Sequence, residues 1–173
     1  MNLRFFTKLV FAALLIGFVA SCMKDDSEPY VPPTHEEEMA LLDQYIDTLE
    51  NRGYDVDTTE MGVYYVVDSV GTGDFPVDGD TCVVKYTGFF IGGTIFDASG
   101  DNTFEVVLGD GDVIDGWEDG LKVFNKGSEG YLIIPSEYAY GSKGSYDYYG
   151  YLKIPPYTTV LFHVEMVDIK QGY

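Results

Sequence analysis

The sequence predicts an α+β fold: an antiparallel sheet with one short internal helix, preceded by a helical extension. Three observations carry this. Short β-rich runs recur between glycine-bearing turns from residue 62 to residue 169. Among them only residues 113–124 place apolar side chains at helical spacing. A separate apolar stripe lies upstream of every strand, at residues 34–52.

Each element follows from local pattern. At residues 34–52, Thr34 can cap a helix and Glu37 completes a capping box. Met39, Leu42, Tyr45, Ile46 and Leu49 line one side, and Gly53 ends it, so residues 34–53 form one unit. Such a helix either packs on its own domain or serves as a dimerisation arm. At about 19 residues it is a weak zipper alone, which favours packing and a monomer. Residues 62–70 are β-rich, and Gly71-Thr72-Gly73 and Val77-Asp78-Gly79-Asp80 are turns. Residues 81–90 alternate, with Cys82, Val84 and Tyr86 on one face. Ile91-Gly92-Gly93 turns the chain so that residues 94–97 pair back, and residues 104–108 form another strand. Within 113–124, Ile114, Trp117, Leu121 and Phe124 share a face, although Gly116 and Gly120 weaken the helix. Residues 131–134 and 158–169 complete the set, with Phe162 and Val164 inward and His163 outward.

The 173 residues suffice for one domain with short appendages, and 46% hydrophobic content excludes disorder throughout. The net charge of −19 repels nucleic acid and anionic lipid headgroups alike. Residues 1–21 carry Arg4 and Lys8, no acid, and an apolar run at 9–20 that is too short for a bilayer span of ~20 residues. The run ends in Val19-Ala20-Ser21-Cys22, which resembles the lipobox of bacterial lipoproteins. That resemblance implies removal of residues 1–21 and acylation of Cys22, a lipid anchor in the bacterial cell envelope, with the outer membrane expected. Cleavage removes two positive charges and takes the charge from −19 to −21. Acyl chains contribute ~0.8 kcal/mol per buried CH₂, so several hold firmly where charge cannot. Residues 22–33 are acidic and proline-bearing and read as a tether; their acidic start also resembles a surface-export signal of some Bacteroidetes lipoproteins. Cys82 is then left to act as a small core hydrophobe.

Six short motifs occur in a fixed order. They are Val83-Val84-Lys85-Tyr86-Thr87-Gly88; Phe96-Asp97; Val113-Ile114-Asp115-Gly116-Trp117-Glu118-Asp119-Gly120; Tyr138-Ala139-Tyr140-Gly141; Ile154-Pro155-Pro156; and Phe162. In identity and order they resemble the FKBP-type peptidyl-prolyl cis-trans isomerases, over residues 60–171. The resemblance implies a twisted antiparallel sheet wrapped around one short helix, and isomerisation of Xaa-Pro bonds without cofactor or metal. Proline-containing polypeptides are the implied substrates, and a macrolide such as tacrolimus the implied inhibitor. Catalysis falls to Tyr86, Phe96, Asp97, Tyr140 and Phe162, and substrate binding to Phe104, Val113, Ile114, Trp117 and Ile154. Trp117 would be the floor; Tyr86, Phe104, Val113, Ile114 and Phe162 the walls. Phe96 would close one side, Asp97 and Tyr140 would supply polar groups, and Ile154 a backbone N–H.

These residue types suit the chemistry. The barrier is amide resonance, about 18–20 kcal/mol. Twisting the bond makes the carbonyl less polar, so a dry apolar pocket favours the transition state. The chain departs from the family at Val106, where some relatives have a second aromatic, and at Asp115. It departs again in a longer loop, 142–153, with Tyr146, Tyr148, Tyr149, Tyr151 and Lys153. Those tyrosines either grip substrate or pack on themselves. The competing function is a binding or chaperone module that keeps the same pocket. Convergence of Asp97 and Tyr140 on an open pocket favours catalysis; a pocket filled by the tyrosine loop favours binding. Asp110-Gly111-Asp112 is no calcium loop, because Ile114 and Asp115 stand where a ligand and the glycine belong. Gly71-Thr72-Gly73 lacks the third glycine of a nucleotide loop, and His35 and His163 are too few for a metal site.

Overall fold

The computed structural model describes residues 30–172. The expected signal, Cys22 and most of the tether lie outside the described residues. Helix α1 spans His35–Asn51. The strands are β1 Asp57–Thr58, β2 Tyr64–Ser69, β3 Thr81–Phe90, β4 Ile95–Ala98, β5 Phe104–Val107, β6 Glu129–Ile134, β7 Ser145–Tyr146, β8 Leu152–Ile154 and β9 Val160–Lys170. Helix α2 covers Asp115–Gly120, between β5 and β6. The main sheet is antiparallel, in the order β1-β2-β6-β9-β3-β4, with β5 also on β3. The fold is the α+β arrangement the sequence predicts. Among the described residues no helix is long and apolar enough to cross a membrane.

Helix α1 starts where its cap chemistry dictates. Thr34 Oγ1 accepts from the Glu37 N–H at 3.2 Å, and Glu37 Oε2 accepts from the Thr34 N–H at 2.8 Å. Both satisfy donors that a helix start leaves orphaned. Glu36, Glu37 and Glu38 add charge that the N-terminal dipole favours. Its stripe covers one face of the sheet: Leu42 is fully buried with Phe89, Ile133 and Leu161, flanked by Met39, Tyr45, Ile46 and Leu49. Burying a leucine of this kind stabilises by roughly 1.5–3 kcal/mol.

The opposite face carries α2 and the larger core. Period-2 alternation sends Leu132, Ile134, Val160, Phe162 and Val164 to this side, with Cys82, Val84 and Met166. The helix is shorter than the pattern over 113–124 predicts: after Gly120 the chain tightens into a 3₁₀ turn, Leu121–Val123. Gly116 and Gly120 do more than weaken it. A Cβ at Gly116 would sit 2.3 Å from Ile134 Cγ2, and one at Gly120 2.8 Å from Leu132 Cδ1. Their absent side chains let α2 lie against the sheet at close range.

Burial pushes Tyr45 from 10.0 up to about 12 and the Cys82 thiol from 9.0 up to about 12. Both groups hold their protons more tightly folded than unfolded. Their contribution to stability is therefore complete below about pH 9 and is lost as pH rises toward about 12. The urea midpoint is expected to fall steadily over that window. An unchanged midpoint up to about pH 12 contradicts it.

Candidate functional site

The sheet builds the site at the middle of β3. The outer edge of β3 is shared: Thr81–Val84 pairs with β5 and Thr87–Phe89 with β4. Tyr86 lies in the gap between the two, where its N–H donates to Ser99 Oγ at 3.0 Å. From the neighbouring β9 comes Phe162, from β5 Phe104, from β4 Phe96 and Asp97, and from α2 Trp117.

These side chains converge. The Trp117 indole is 96% buried and meets three rings nearly at right angles: Tyr86 at 5.0 Å, Phe162 at 5.1 Å and Phe104 at 6.0 Å. Phe96 stands edge-on to Phe162 at 5.6 Å and is backed by Phe90 at 5.0 Å. Edge-to-face pairs each add ~0.5–1.5 kcal/mol beyond burial, so the cluster is stiff. The cluster reaches solvent at Phe104, which is 42% exposed. Val113 and Ile114 pack half-buried beside it, and Ile154, at the end of β8, is 1% exposed within the same core. The Trp117 Nε1–H has no acceptor among the described residues, so the base of the cluster keeps an unpaired donor.

Polar groups gather on one side. The Tyr86 hydroxyl donates to Asp97 Oδ2 at 3.1 Å, and Lys153 Nζ lies 3.8 Å from Asp97 Oδ1. Burial, then the Asp97 charge, pushes Tyr86 up to about 12; the same two causes raise Tyr140. Both phenols therefore remain protonated donors at neutral pH. All ten residues named from the sequence lie in or against this cluster, Tyr140 packing half-buried on the core.

Three participants were given no role at the site in the sequence reading. Gly88 is the crossing point of two rings: a Cβ there would lie 2.8 Å from Phe96 Cζ and 2.9 Å from Phe162 Cε1. Lys153 reaches Asp97 from the loop after Tyr140. Glu118 accepts from the Gly109 and Gly111 N–H groups, at 2.6 and 3.0 Å, and so fixes the turn before Val113. Glu118 follows Gly109 and Gly111 by 9 and 7 residues, and Lys153 stood out in the sequence as a departure from the family beside Ile154. The tyrosine loop is a hairpin, β7 to β8, with Tyr148 96% and Tyr149 80% exposed, so those rings leave the cluster uncovered. Among the described residues, no three His, Cys, Asp or Glu side chains are grouped to hold a metal.

The sequence pattern of the FKBP-type peptidyl-prolyl cis-trans isomerases matches residues 73–167. A probable FKBP-type peptidyl-prolyl cis-trans isomerase of Haemophilus influenzae is 36% identical over 118 residues, 68% of this chain and 47% of its own. The FKBP-type isomerase FkpA of Escherichia coli is 40% identical over 115 residues, 66% of this chain and 40% of its own. The chain thus spans about half the length of these curated relatives. Among solved structures, a peptidyl-prolyl cis-trans isomerase from Pseudomonas syringae superposes with a TM-score of 0.68 at 26% identity, covering 82% of this chain and 100% of that one.

Proposed function

The chain belongs to the FKBP-type peptidyl-prolyl cis-trans isomerase family, and from that premise we propose that the Trp117 cluster is a catalytic pocket for Xaa-Pro bonds. The observation that carries the reading is the pairing of an edge-to-face aromatic cluster around Trp117 with the Tyr86–Asp97 hydrogen bond at its side. The proline ring rests on Trp117, between Tyr86, Phe104 and Phe162, with Val113 and Ile114 along the wall. Proline brings no N–H, so this surface leaves no donor of the substrate unpaired. Phe96 contacts the preceding residue, while Tyr140 and the Ile154 N–H address the flanking carbonyls. Asp97 orients the Tyr86 hydroxyl by accepting its hydrogen bond. As the amide twists, its carbonyl loses dipole, and the apolar walls stabilise that state over the planar one.

The proposed setting is the bacterial cell envelope, with Cys22 as a lipid anchor and extracytoplasmic chains as clients. The lipobox-like Val19-Ala20-Ser21-Cys22 and the net charge of −19, which keeps the domain itself off anionic membranes, support it.

A Leu-Pro tetrapeptide assay tests the site. Asp97→Val and Phe162→Tyr are each expected to lower kcat/KM about tenfold or more, ~1.4 kcal/mol, with the urea midpoint near wild type. Tacrolimus is expected to compete with the peptide. Full turnover in both variants refutes the assignment.

A further inference from the structure

Three hydrogen bonds join Ser99 to Tyr86. The Tyr86 N–H donates to Ser99 Oγ at 3.0 Å, Ser99 Oγ donates to the Tyr86 carbonyl at a longer 3.4 Å, and the Ser99 N–H donates to the same carbonyl at 3.1 Å. The edge of β3 explains why they are needed. There β4 pairs with Thr87–Phe89 and β5 with Thr81–Val84, so no strand lies opposite Tyr86. The pairing Thr87↔Ala98 would bring Ser99 next, and two such residues in an antiparallel ladder exchange both N–H···O bonds. Only one of the two forms. The Ser99 N–H takes its place, but the chain turns away at Gly100, φ +62°, and the Ser99 carbonyl accepts from the Asn102 N–H at 3.3 Å instead. Tyr86 is left with a half-buried N–H and no backbone acceptor. The serine hydroxyl stands in for the missing carbonyl.

The residue held in this way is the hub of the pocket. The Tyr86 ring meets Trp117 at 5.0 Å, Phe104 at 5.8 Å and Phe162 at 6.0 Å, and its hydroxyl donates to Asp97 Oδ2 at 3.1 Å. Asp97 and Ser99 belong to one run, Asp97-Ala98-Ser99. That run therefore grips Tyr86 at both ends: the phenol through Asp97, the backbone through Ser99. The phenol sits at the far end of a stiff ring, so a small change in the backbone is carried to the oxygen. We propose that Ser99 is a positioning residue for the isomerisation: its hydroxyl sets the Tyr86 backbone so that the phenol meets Asp97 beside Trp117. This rests on the pocket reading above. Ser99 acts through Tyr86 and needs no contact with the substrate.

The test is a double-mutant cycle on the full chain, read with the Leu-Pro tetrapeptide. Ser99→Ala is expected to lower kcat/KM about fivefold, and Ser99→Thr, which keeps the hydroxyl, to stay within about twofold of wild type. A serine that only stabilised the sheet edge would act whatever Tyr86 carried. The cycle separates the two roles: in a Tyr86→Phe chain, which has no phenol to aim, adding Ser99→Ala is expected to cost less than about twofold. The same fivefold loss in both backgrounds overturns the proposal. So does full activity in Ser99→Ala, or a Ser99→Thr chain as impaired as Ser99→Ala. A wild-type chain inactive on the tetrapeptide sinks the isomerase reading instead. Ser99 is then judged by NMR of tyrosine labelled at Cζ, with the Tyr86 signal identified by its loss in Tyr86→Phe. A signal that moves in Ser99→Ala and stays in Ser99→Thr supports the positioning role; one that stays in both overturns it.

Discussion

Glu38→Ala is expected to cost about 3–5 kcal/mol of stability, the largest loss of any single substitution in α1. Glu38 is 4% exposed, and its carboxylate is fully engaged across the fold. It accepts from the Ser136 N–H at 2.7 Å, from Ser136 Oγ at 2.5 Å and from Thr159 Oγ1 at 2.9 Å. Truncation leaves three donors in a buried site with no acceptor, and each charge-assisted bond is worth ~1.5–3 kcal/mol. The position also matters for activity. Ser136 opens the 3₁₀ turn Ser136–Tyr138, which leads directly to Tyr140. A helix on the back of the sheet thus fixes a turn that feeds the pocket. Urea denaturation checks the first effect, and the tetrapeptide assay the second. Glu38→Gln, which keeps the shape and one acceptor, should fall between. A midpoint shift equivalent to under ~1 kcal/mol for Glu38→Ala would show that the clasp is relieved by repacking.

Gly88→Ala should damage the pocket more than any other one-carbon change. The added methyl lies 2.8–2.9 Å from both Phe96 and Phe162, inside contact distance for each. One of the rings must swing away, and both are proposed to touch substrate. Overpacking of this kind costs ~1–3 kcal/mol. Turnover should drop by more than about tenfold, because a displaced Phe162 also loses its edge contact with Trp117. A Gly88→Ala protein with normal kcat/KM would mean that neither ring position matters. The pair of assays separates the outcomes: stability alone, or stability with turnover.

The sheet and α1 were legible because their signals are local. Alternation along β3 and β9 assigns each residue to a face, and Thr34 with Glu37 marks a helix start without knowledge of any partner. The extent of α2 was not, since its apolar spacing continues to Phe124 while the backbone tightens after Gly120 to bring Leu121 and Phe124 under the sheet. Nor was the clasp: Glu38 lies 98 residues from Ser136 and looks, in sequence, like one more acid in a solvated first turn. The hairpin escaped because its strands, Ser145–Tyr146 and Leu152–Ile154, are too short to show a period, and its turn depends on Asp147 bonding forward along its own backbone. Long-range polar contacts and self-bonded turns leave no periodic trace.

Strand β9 sits at the centre of the sheet, between β3 and β6, yet is made last of all the strands. Both neighbours wait for it: β3 is paired to it from Thr81 to Phe90, and β6 from Glu129 to Ile134. Until residues 160–170 are available, the sheet is in two parts, β1-β2-β6 and β3 with β4 and β5, each with an open edge. Synthesis from the N-terminus therefore cannot close this fold stepwise. The domain remains open until residues 160–170 are made, and it commits to structure in one late event.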